Sequence, residues 1–317
     1  MAELQPQQMR IPLELVFKVM TCLLLTNENA IIPQSHPATQ ILLAFSTVSR
    51  ATHEEATKKL KQHCLYIANP RRVACFARCL QSWKWTSNSP SVFQGITDLF
   101  LCIPNTPGSR FPVYILFNHI GPSLRRATLE WKLPLPLGVR EHEPANDAIT
   151  RGILSMVNLE ELICDISFFN LVARTADFPR SDSMEVLPAL KRLGIYGTLS
   201  WYTDAHNLPN FPSIEHIVVM KTNISSDVIF SHLSFELRQQ QSKEPVKVVA
   251  VVLDHPFYLQ QWFVPCRQWA EKTSKGCFFV TKHLVPMENF NGGFWRRTAL
   301  AGELWDLGSD EQDNELE

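Results

Sequence analysis

Hydrophobic residues near the start of the chain recur at helical spacing. After Pro12 they follow one another in steps of one, three and four, which places them on one face of a helix: Leu15, Val16, Val19, Met20, Leu23 and Leu24. Pro12 suits the first turn of this helix, where its missing N–H costs nothing. A second helix is predicted from about residue 38 to residue 50.

Two further helices are predicted by the same kind of spacing. Thr52 and Glu55 have the spacing of a capping box, which marks the start of the third helix. The stretch RRVACFARCLQSWKW, residues 71–85, is expected to form the fourth. Because each helix is short and apolar on one side only, we expect three or four of them to pack as a small helical domain over residues 10–85. Residues 1–9 are expected to be disordered.

A different pattern follows the SNSPS linker and occupies residues 91–300. Five segments begin with apolar-x-x-apolar and continue into a β-rich run: ITDLFLCI, LEELICDI, LKRLGIYG, IEHIVVMK and VKVVAVVL. GCFFVTKH is a candidate sixth, and the helix candidates DAITRGILSMVN and SSDVIFSHLSFELRQQ lie between the segments. Strands that alternate with helices predict a parallel sheet. The fold class is therefore α+β or α/β, with either an irregular leucine-rich-repeat-like α/β solenoid or an ordinary open sheet after the helical domain.

Residues 104–150 interrupt this pattern with seven prolines. Since proline removes a helical hydrogen bond, we expect no regular helix in this region. YILFNHI and ATLEWKLPL are predicted as strands, and the remainder is expected to wrap the surface of the repeat domain.

Composition and charge restrict the kinds of function. With 317 residues, 45% of them hydrophobic and 19% charged, the chain can bury a sizeable core. The net charge of −1 does not indicate a nucleic-acid binder. Residues 303–317 contain seven acidic and no basic residues, which predicts a flexible acidic tail. No apolar run is long enough to cross a membrane, and no cleavage site follows the first helix. We therefore expect a cytoplasmic or nuclear protein with reduced cysteines and no contact with a membrane.

Motifs of known catalytic or metal chemistry are not found in the sequence. There is neither a Gly-x-Ser-x-Gly elbow nor a Gly-rich phosphate loop. Cys75 and Cys79, together with His63 and Cys64, are the nearest approach to a zinc site. We interpret these cysteines as small apolar residues on or near the helix faces, because structural zinc sites show paired, closely spaced ligands. The sequence thus predicts no enzymatic activity, no cofactor and no metal.

The N-terminal helices resemble an F-box. The family pattern is a Leu-Pro-x-Glu-Leu start, an apolar helix, and a second helix that ends in a Val-Ser/Cys-Arg-like triplet. The matching residues here are Ile11-Pro12-x-Glu14-Leu15-Val16, then Val19, Leu23-Leu24, Leu42-Leu43 and Val48-Ser49-Arg50. The stretch from His36 to Ile67 is similar to the variant found in many uncharacterised fungal F-box-like proteins. Three departures are Ile11 in place of the usual Leu, a longer loop from Thr26 to Pro37, and the absence of an aromatic residue after Arg50.

This resemblance implies a substrate-recognition adaptor of a cullin–RING (SCF-type) ubiquitin ligase. The helices would bind the adaptor subunit of the ligase, and the C-terminal domain would hold an unknown target protein. The residues implied in binding the ligase adaptor are Ile11, Pro12, Leu15, Val16, Val19, Leu23, Leu42, Leu43 and Val48. The alternative is a non-catalytic interaction scaffold, in which the F-box-like helices only cap the repeat domain.

Alternation along the predicted strands indicates a second candidate surface. We expect one set of alternate residues to point into the core: Leu99, Leu162, Leu193, Ile217 and Val249. The opposite set mixes charge with large apolar groups and includes the candidate target-binding residues Phe100, Glu161, Ile163, Arg192, Tyr196, His216 and Met220, with Val248 and Val252 at its apolar end. Two interpretations stay open: a concave surface that binds the target, or a face covered by a proline-rich loop or by the C-terminal segment.

Overall fold

The computed structural model describes residues 11–24, 30–63, 65–84, 95–104, 107–132, 149, 151–165, 168, 187–196, 211, 213–220, 246–253, 278–285 and 293–307. Several predictions lie outside the described residues. These are the disordered start, the SNSPS linker, the helix over residues 225–240 and the acidic end from residue 308 onward.

The described chain has three helices before its first strand, helices between its first three strands, and one helix after its last strand. The helices are α1 (Leu13–Cys22), α2 (Pro37–Phe45), α3 (Arg50–His63), α4 (Pro70–Lys84), α5 (Pro107–Ile120) and α6 (Phe294–Ala301), with 3₁₀ helices at Gly121–Ser123 and Leu304–Asp306. The strands are β1 (Tyr66–Ile67), β2 (Asp98–Pro104), β3 (Arg126–Lys132), β4 (Glu161–Asp165), β5 (Arg192–Tyr196), β6 (His216–Met220), β7 (Val246–Leu253) and β8 (Phe278–Val285).

The strands form one parallel sheet of eight strands, and their order in the sheet is their order in the chain. Each strand therefore lies beside the strand that precedes it in the chain. Because neighbouring strands are parallel, each such pair requires a crossover connection. The prediction of an α/β fold with parallel strands is confirmed, and so are the six β-rich segments.

The main core lies on one face of the sheet, here called the inner face. Its strand residues include Leu99, Leu129, Leu162, Leu193, Ile217 and Val248. Helices α4 and α5 pack against them through Val73, Leu80, Leu116 and Phe117. Full burial of one such side chain contributes about 1.5–3 kcal/mol to the free energy of unfolding. This packing explains why the strands are apolar at alternate positions.

The predicted orientation of β7 is wrong by one residue. Val248 pairs with Ile217 and faces the inner core, whereas Val249 pairs with Val218 on the opposite face. The segment VKVVAVVL is apolar on both faces, so alternation alone did not determine which valines point inward.

The expectation that residues 104–150 contain no regular helix is also wrong. Helix α5 begins at Pro107 and continues through Pro112, and YILFNHI belongs to this helix rather than to a strand. Val113, Leu116, Phe117 and Ile120 are fully buried at helical spacing. Their burial outweighs the hydrogen bond that Pro112 removes. ATLEWKLPL does contain a strand, since β3 lies between β2 and β4 in the sheet.

Three helices form the N-terminal helical unit. Met20, Leu42 and Ala56 are the buried centre of α1, α2 and α3, and Phe17 and Phe45 pack around them. Helix α4 belongs to the inner core of the sheet instead, so the predicted domain boundary at residue 85 comes too late.

The helix starts differ slightly from those expected. Pro12 lies at the N-cap of α1, and its carbonyl oxygen accepts the first helical hydrogen bonds. Helix α3 starts at Arg50, so Thr52 lies inside the helix and not at its N-cap. The predicted Thr52–Glu55 capping box is therefore wrong. Ser49 caps this helix instead: its hydroxyl accepts from the Thr52 amide, and the Thr52 hydroxyl accepts from the Ser49 amide.

The C-terminal segment, residues 293–307, packs on the opposite face of the sheet, here called the outer face. Leu304 is fully buried, and Trp305 and Ala299 join Ile163, Val218 and other outer-face residues in a second apolar cluster. The predicted acidic tail therefore begins too early, because residues 303–307 are packed against the sheet.

Candidate protein-binding surfaces

Helix α1 leaves an apolar stripe outside the core of the helical unit. Ile11 is 71% exposed, Leu15 50% and Val19 49%. These residues are four apart, so they lie on successive turns of the same side of the chain. Pro12 is also exposed, whereas Val16 and Leu23 are half-buried against the helical core.

The candidate residues of α2 and its C-terminal end divide between core and surface. Leu42 is fully buried in the core of the helical unit, and Leu43 and Val48 are exposed. Leu42 in this conformation does not reach the surface, and it packs in the core beneath the exposed residues. Of the nine residues implied in adaptor binding, six are thus exposed: Ile11, Pro12, Leu15, Val19, Leu43 and Val48.

The outer face carries a row of five charged side chains and one histidine at the starts of neighbouring strands. The strand register aligns Asp98, Arg126, Glu161, Arg192, His216 and Lys247 across the sheet. Signs alternate over the first four positions, and each of the two carboxylates is buried. Arg126 binds the Asp98 carboxylate through Nε and Nη2, and Arg192 pairs with Glu161. The first four positions of the row therefore form two neighbouring ion pairs, since opposite charges at adjacent strand positions attract.

The C-terminal segment closes over this row through Trp305. The indole Nε1 donates to Glu161 Oε2 at 2.9 Å, and the Arg192 guanidinium lies 5.5 Å from the centre of the indole ring. The imidazole ring of His216 lies 5.7 Å from the same indole ring. Burial raises the pKa of Glu161, although Arg192 and the Trp305 hydrogen bond oppose this effect.

A second set of contacts joins the segment to the far ends of the strands. Trp295 stacks on Tyr196 with 3.6 Å between ring centres, and Arg296 forms an ion pair with the buried carboxylate of Glu130. The Tyr196 hydroxyl donates to the Leu129 carbonyl oxygen at 3.2 Å. Burial raises the pKa of Tyr196 far above its ordinary value, so this hydroxyl keeps its proton.

The candidate target-binding residues consequently lie under the C-terminal segment or within the sheet. Phe100, Glu161, Ile163, Tyr196 and Met220 are buried, while Arg192 and His216 are half-buried. The sequence left two interpretations open for these residues: a surface that binds the target, or a covered face. In the described structure the C-terminal segment covers the face. Sequence reasoning did not identify Trp295, Arg296 and Trp305 as the covering residues, although Phe294–Arg297 form an aromatic and basic run in the sequence.

His216 makes the stability of the fold depend on pH. Its pKa is lowered from 6.5 to about 4, mainly by burial and further by Lys247 and Arg192. Between these two pH values the unfolded chain binds a proton at this position and the folded chain does not. The free energy of unfolding should therefore fall as the pH is lowered from 6.5 to about 4.

The test compares urea unfolding of the wild type and His216→Gln at pH 7 and pH 4.5. We expect the wild type to lose more stability between these pH values than the variant does. His63→Gln is a useful comparison, since burial also lowers the pKa of His63. An identical loss in wild type and His216→Gln would refute this assignment.

Two cysteines differ in environment from the sequence-based interpretation. Cys164 is buried, but Cys75 and Cys79 are exposed on α4 rather than part of an apolar face. Within the described ranges, the acidic, histidine and cysteine side chains form no group of three suited to a metal. No described helix combines the length and the hydropathy needed to span a membrane.

Comparison with models of known protein families, with curated proteins and with solved structures found no match.

Proposed function

We propose that this chain is a non-catalytic substrate-recognition adaptor of a cullin–RING ubiquitin ligase, working in the cytoplasm or nucleus. Its F-box-like helices bind the adaptor subunit of the ligase. Its sheet domain holds a target protein, and partner subunits carry out the ubiquitin chemistry.

The observation that carries the proposal is the exposed apolar stripe of α1. A surface helix normally turns its apolar side toward a core. The core of this helical unit is already filled by Met20, Leu42 and Ala56, and Ile11, Leu15 and Val19 lie outside it. An apolar helix side that its own chain does not bury suits insertion into a hydrophobic groove of a partner. The F-box resemblance names the partner for which this stripe is suited.

The sheet supports the second half of the proposal. Strand order equal to chain order is the arrangement of a repeat architecture, in which each unit contacts its neighbours. A doubly wound sheet would instead reverse its order at a switch point. Repeat domains present an extended face to proteins, which fits the capture of a target by a divergent leucine-rich-repeat-like domain.

The direct test is assembly of a complex from purified components. The full chain is mixed with the ligase adaptor subunit, and the mixture is resolved by size exclusion with light scattering. We expect a stable one-to-one complex. Two separate peaks at micromolar concentrations would count against the proposal.

One contact favours the alternative of a scaffold whose helices only cap the sheet domain. The Ile31 amide, in the buried stretch after α1, donates to the Leu300 carbonyl of α6 at 2.9 Å. The helical unit is thus attached to the C-terminal segment, as a cap would be. In that case the adaptor does not bind, while deletion of residues 1–63 destabilises the sheet domain.

A further inference from the structure

The C-terminal segment contacts the outer face through residue types that dominate protein–protein interfaces. Trp295 stacks on Tyr196, Arg296 pairs with Glu130, and Trp305 donates to Glu161. Tryptophan and arginine side chains provide most of the binding energy in many interfaces between separate proteins. The segment therefore resembles a bound ligand more than a further layer of aliphatic core.

The outer face is shaped to accept this segment. Gly194 lies in the middle of β5, and a Cβ atom there would come within 2.8 Å of Leu304 Cδ2 and 3.2 Å of Ile163 Cγ1. A glycine inside a strand commonly marks a close approach by another part of a protein. Here the missing side chain leaves the space that Leu304 fills.

The segment is also a compact unit with its own hydrogen bonds. The Arg297 amide donates to the Gly293 carbonyl at the start of α6, and the Glu303 amide donates to the Thr298 carbonyl at its end. Gly302 adopts the left-handed conformation with φ 75°, which ends the helix and turns the chain toward Trp305. A short helix of this kind can leave the sheet without breaking the hydrogen bonds between strands.

Two polar atoms at this contact remain poorly satisfied. Among the described residues, His216 Nε2 and Arg296 Nε are buried and have no hydrogen-bond partner. A buried donor or acceptor without a partner weakens a contact. An incoming segment that pairs His216 Nε2, and whose own arginine Nε is paired, would therefore bind the outer face more tightly than residues 293–307 do.

We propose that the outer face is a binding site for a short helical protein segment that carries tryptophan and arginine, and that residues 293–307 occupy this site within the same chain. The arginine of the partner segment pairs with Glu130, and an indole N–H binds Glu161. The target must displace the C-terminal segment to reach the site, so the free protein is autoinhibited. This inference rests on the proposed function, because it names the target-binding site and the chemistry of the target.

The experiment measures binding of a fluorescent synthetic peptide of residues 293–307 to the full-length protein by anisotropy. The wild-type site is occupied, so binding should be weak. The variant Arg296→Glu, Trp305→Ala loosens the resident segment and should bind the peptide at least about tenfold more tightly, the effect of one charge-assisted hydrogen bond. Arg297→Glu is the matched control, because this neighbouring arginine is exposed and should leave binding at the wild-type level.

A charge exchange locates the site. Glu130→Arg should repel the resident Arg296 and open the face. It should then bind a peptide that carries Arg296→Glu in preference to the wild-type peptide. Gly194→Val, added to the loosened variant, should weaken peptide binding because valine occupies the space of Leu304.

Two results would overturn the proposal. One is a loosened variant that unfolds cooperatively, as the wild type does, yet binds no peptide. The other is loss of cooperative unfolding in both the loosened variant and Glu130→Arg, which would make the segment an obligatory part of the fold. The ligase adaptor is absent from this assay, so its outcome is independent of whether α1 binds that subunit.

Discussion

Replacing Leu15 and Val19 together with glutamate is expected to abolish binding to the ligase adaptor. Both side chains are exposed in the free chain, so the change should leave the fold intact. Burial of two such apolar side chains contributes about 3–6 kcal/mol, and a charge placed in an apolar groove adds a further cost. Affinity should therefore fall by at least about a hundredfold, measured by titration calorimetry.

Phe111→Glu provides the control for this double variant. Phe111 is 62% exposed on α5, outside the helical unit, and its replacement introduces the same type of charge at an apolar position that is more exposed than Leu15 or Val19. It should bind the adaptor with wild-type affinity. Equal affinity of the Leu15→Glu, Val19→Glu variant and the wild type would remove α1 from the docking surface.

Replacing Arg126 with methionine is expected to cause the largest loss of stability. Its guanidinium pairs with the carboxylate of Asp98, which is only 1% exposed. Without Arg126 this carboxylate stays buried and lacks its cation. Breaking a buried ion pair in this way typically costs about 3–5 kcal/mol of the free energy of unfolding. Denaturant unfolding monitored by circular dichroism measures the effect.

Two companion variants separate this effect from a general loss of charge. Arg126→Met combined with Asp98→Leu removes both charges and should recover much of the stability. Arg50→Met breaks the exposed Arg50–Glu54 pair on α3 and should change the free energy of unfolding by less than about 1 kcal/mol. Similar losses of unfolding free energy for Arg126→Met and Arg50→Met would mean that the buried Arg126–Asp98 pair stabilises the fold no more than an exposed ion pair does.

The sheet was predictable because its strands are short, apolar and β-rich, and because helical segments alternate with them. Prediction failed where two signals competed or where none was present. In the α5 region, the prolines led us to predict that no helix forms, although Val113, Leu116 and Phe117 have helical spacing. Burial of these three side chains stabilises the helix in the structure. In β7, valines on both faces left the orientation of the strand undetermined.

The two candidate surfaces differ in how far the sequence could reveal them. The F-box resemblance implied that Ile11, Leu15 and Val19 bind a partner, and the structure leaves all three side chains exposed. The cover over the outer face depends on contacts between residues far apart in the chain, such as Trp305 with Glu161 and Arg296 with Glu130. No local pattern in a single sequence encodes such pairings, so the row of outer-face residues could be predicted but its occupant could not.

Hydrogen exchange of the full chain, with and without the ligase adaptor subunit, tests the central claim most directly. If α1 inserts into a groove of the adaptor, backbone amides of residues 11–24 should exchange more slowly in the complex. Those of α5, residues 107–120, should exchange at the same rate in both samples and serve as the internal reference. A complex that forms without slower exchange in residues 11–24 would contradict docking through this helix.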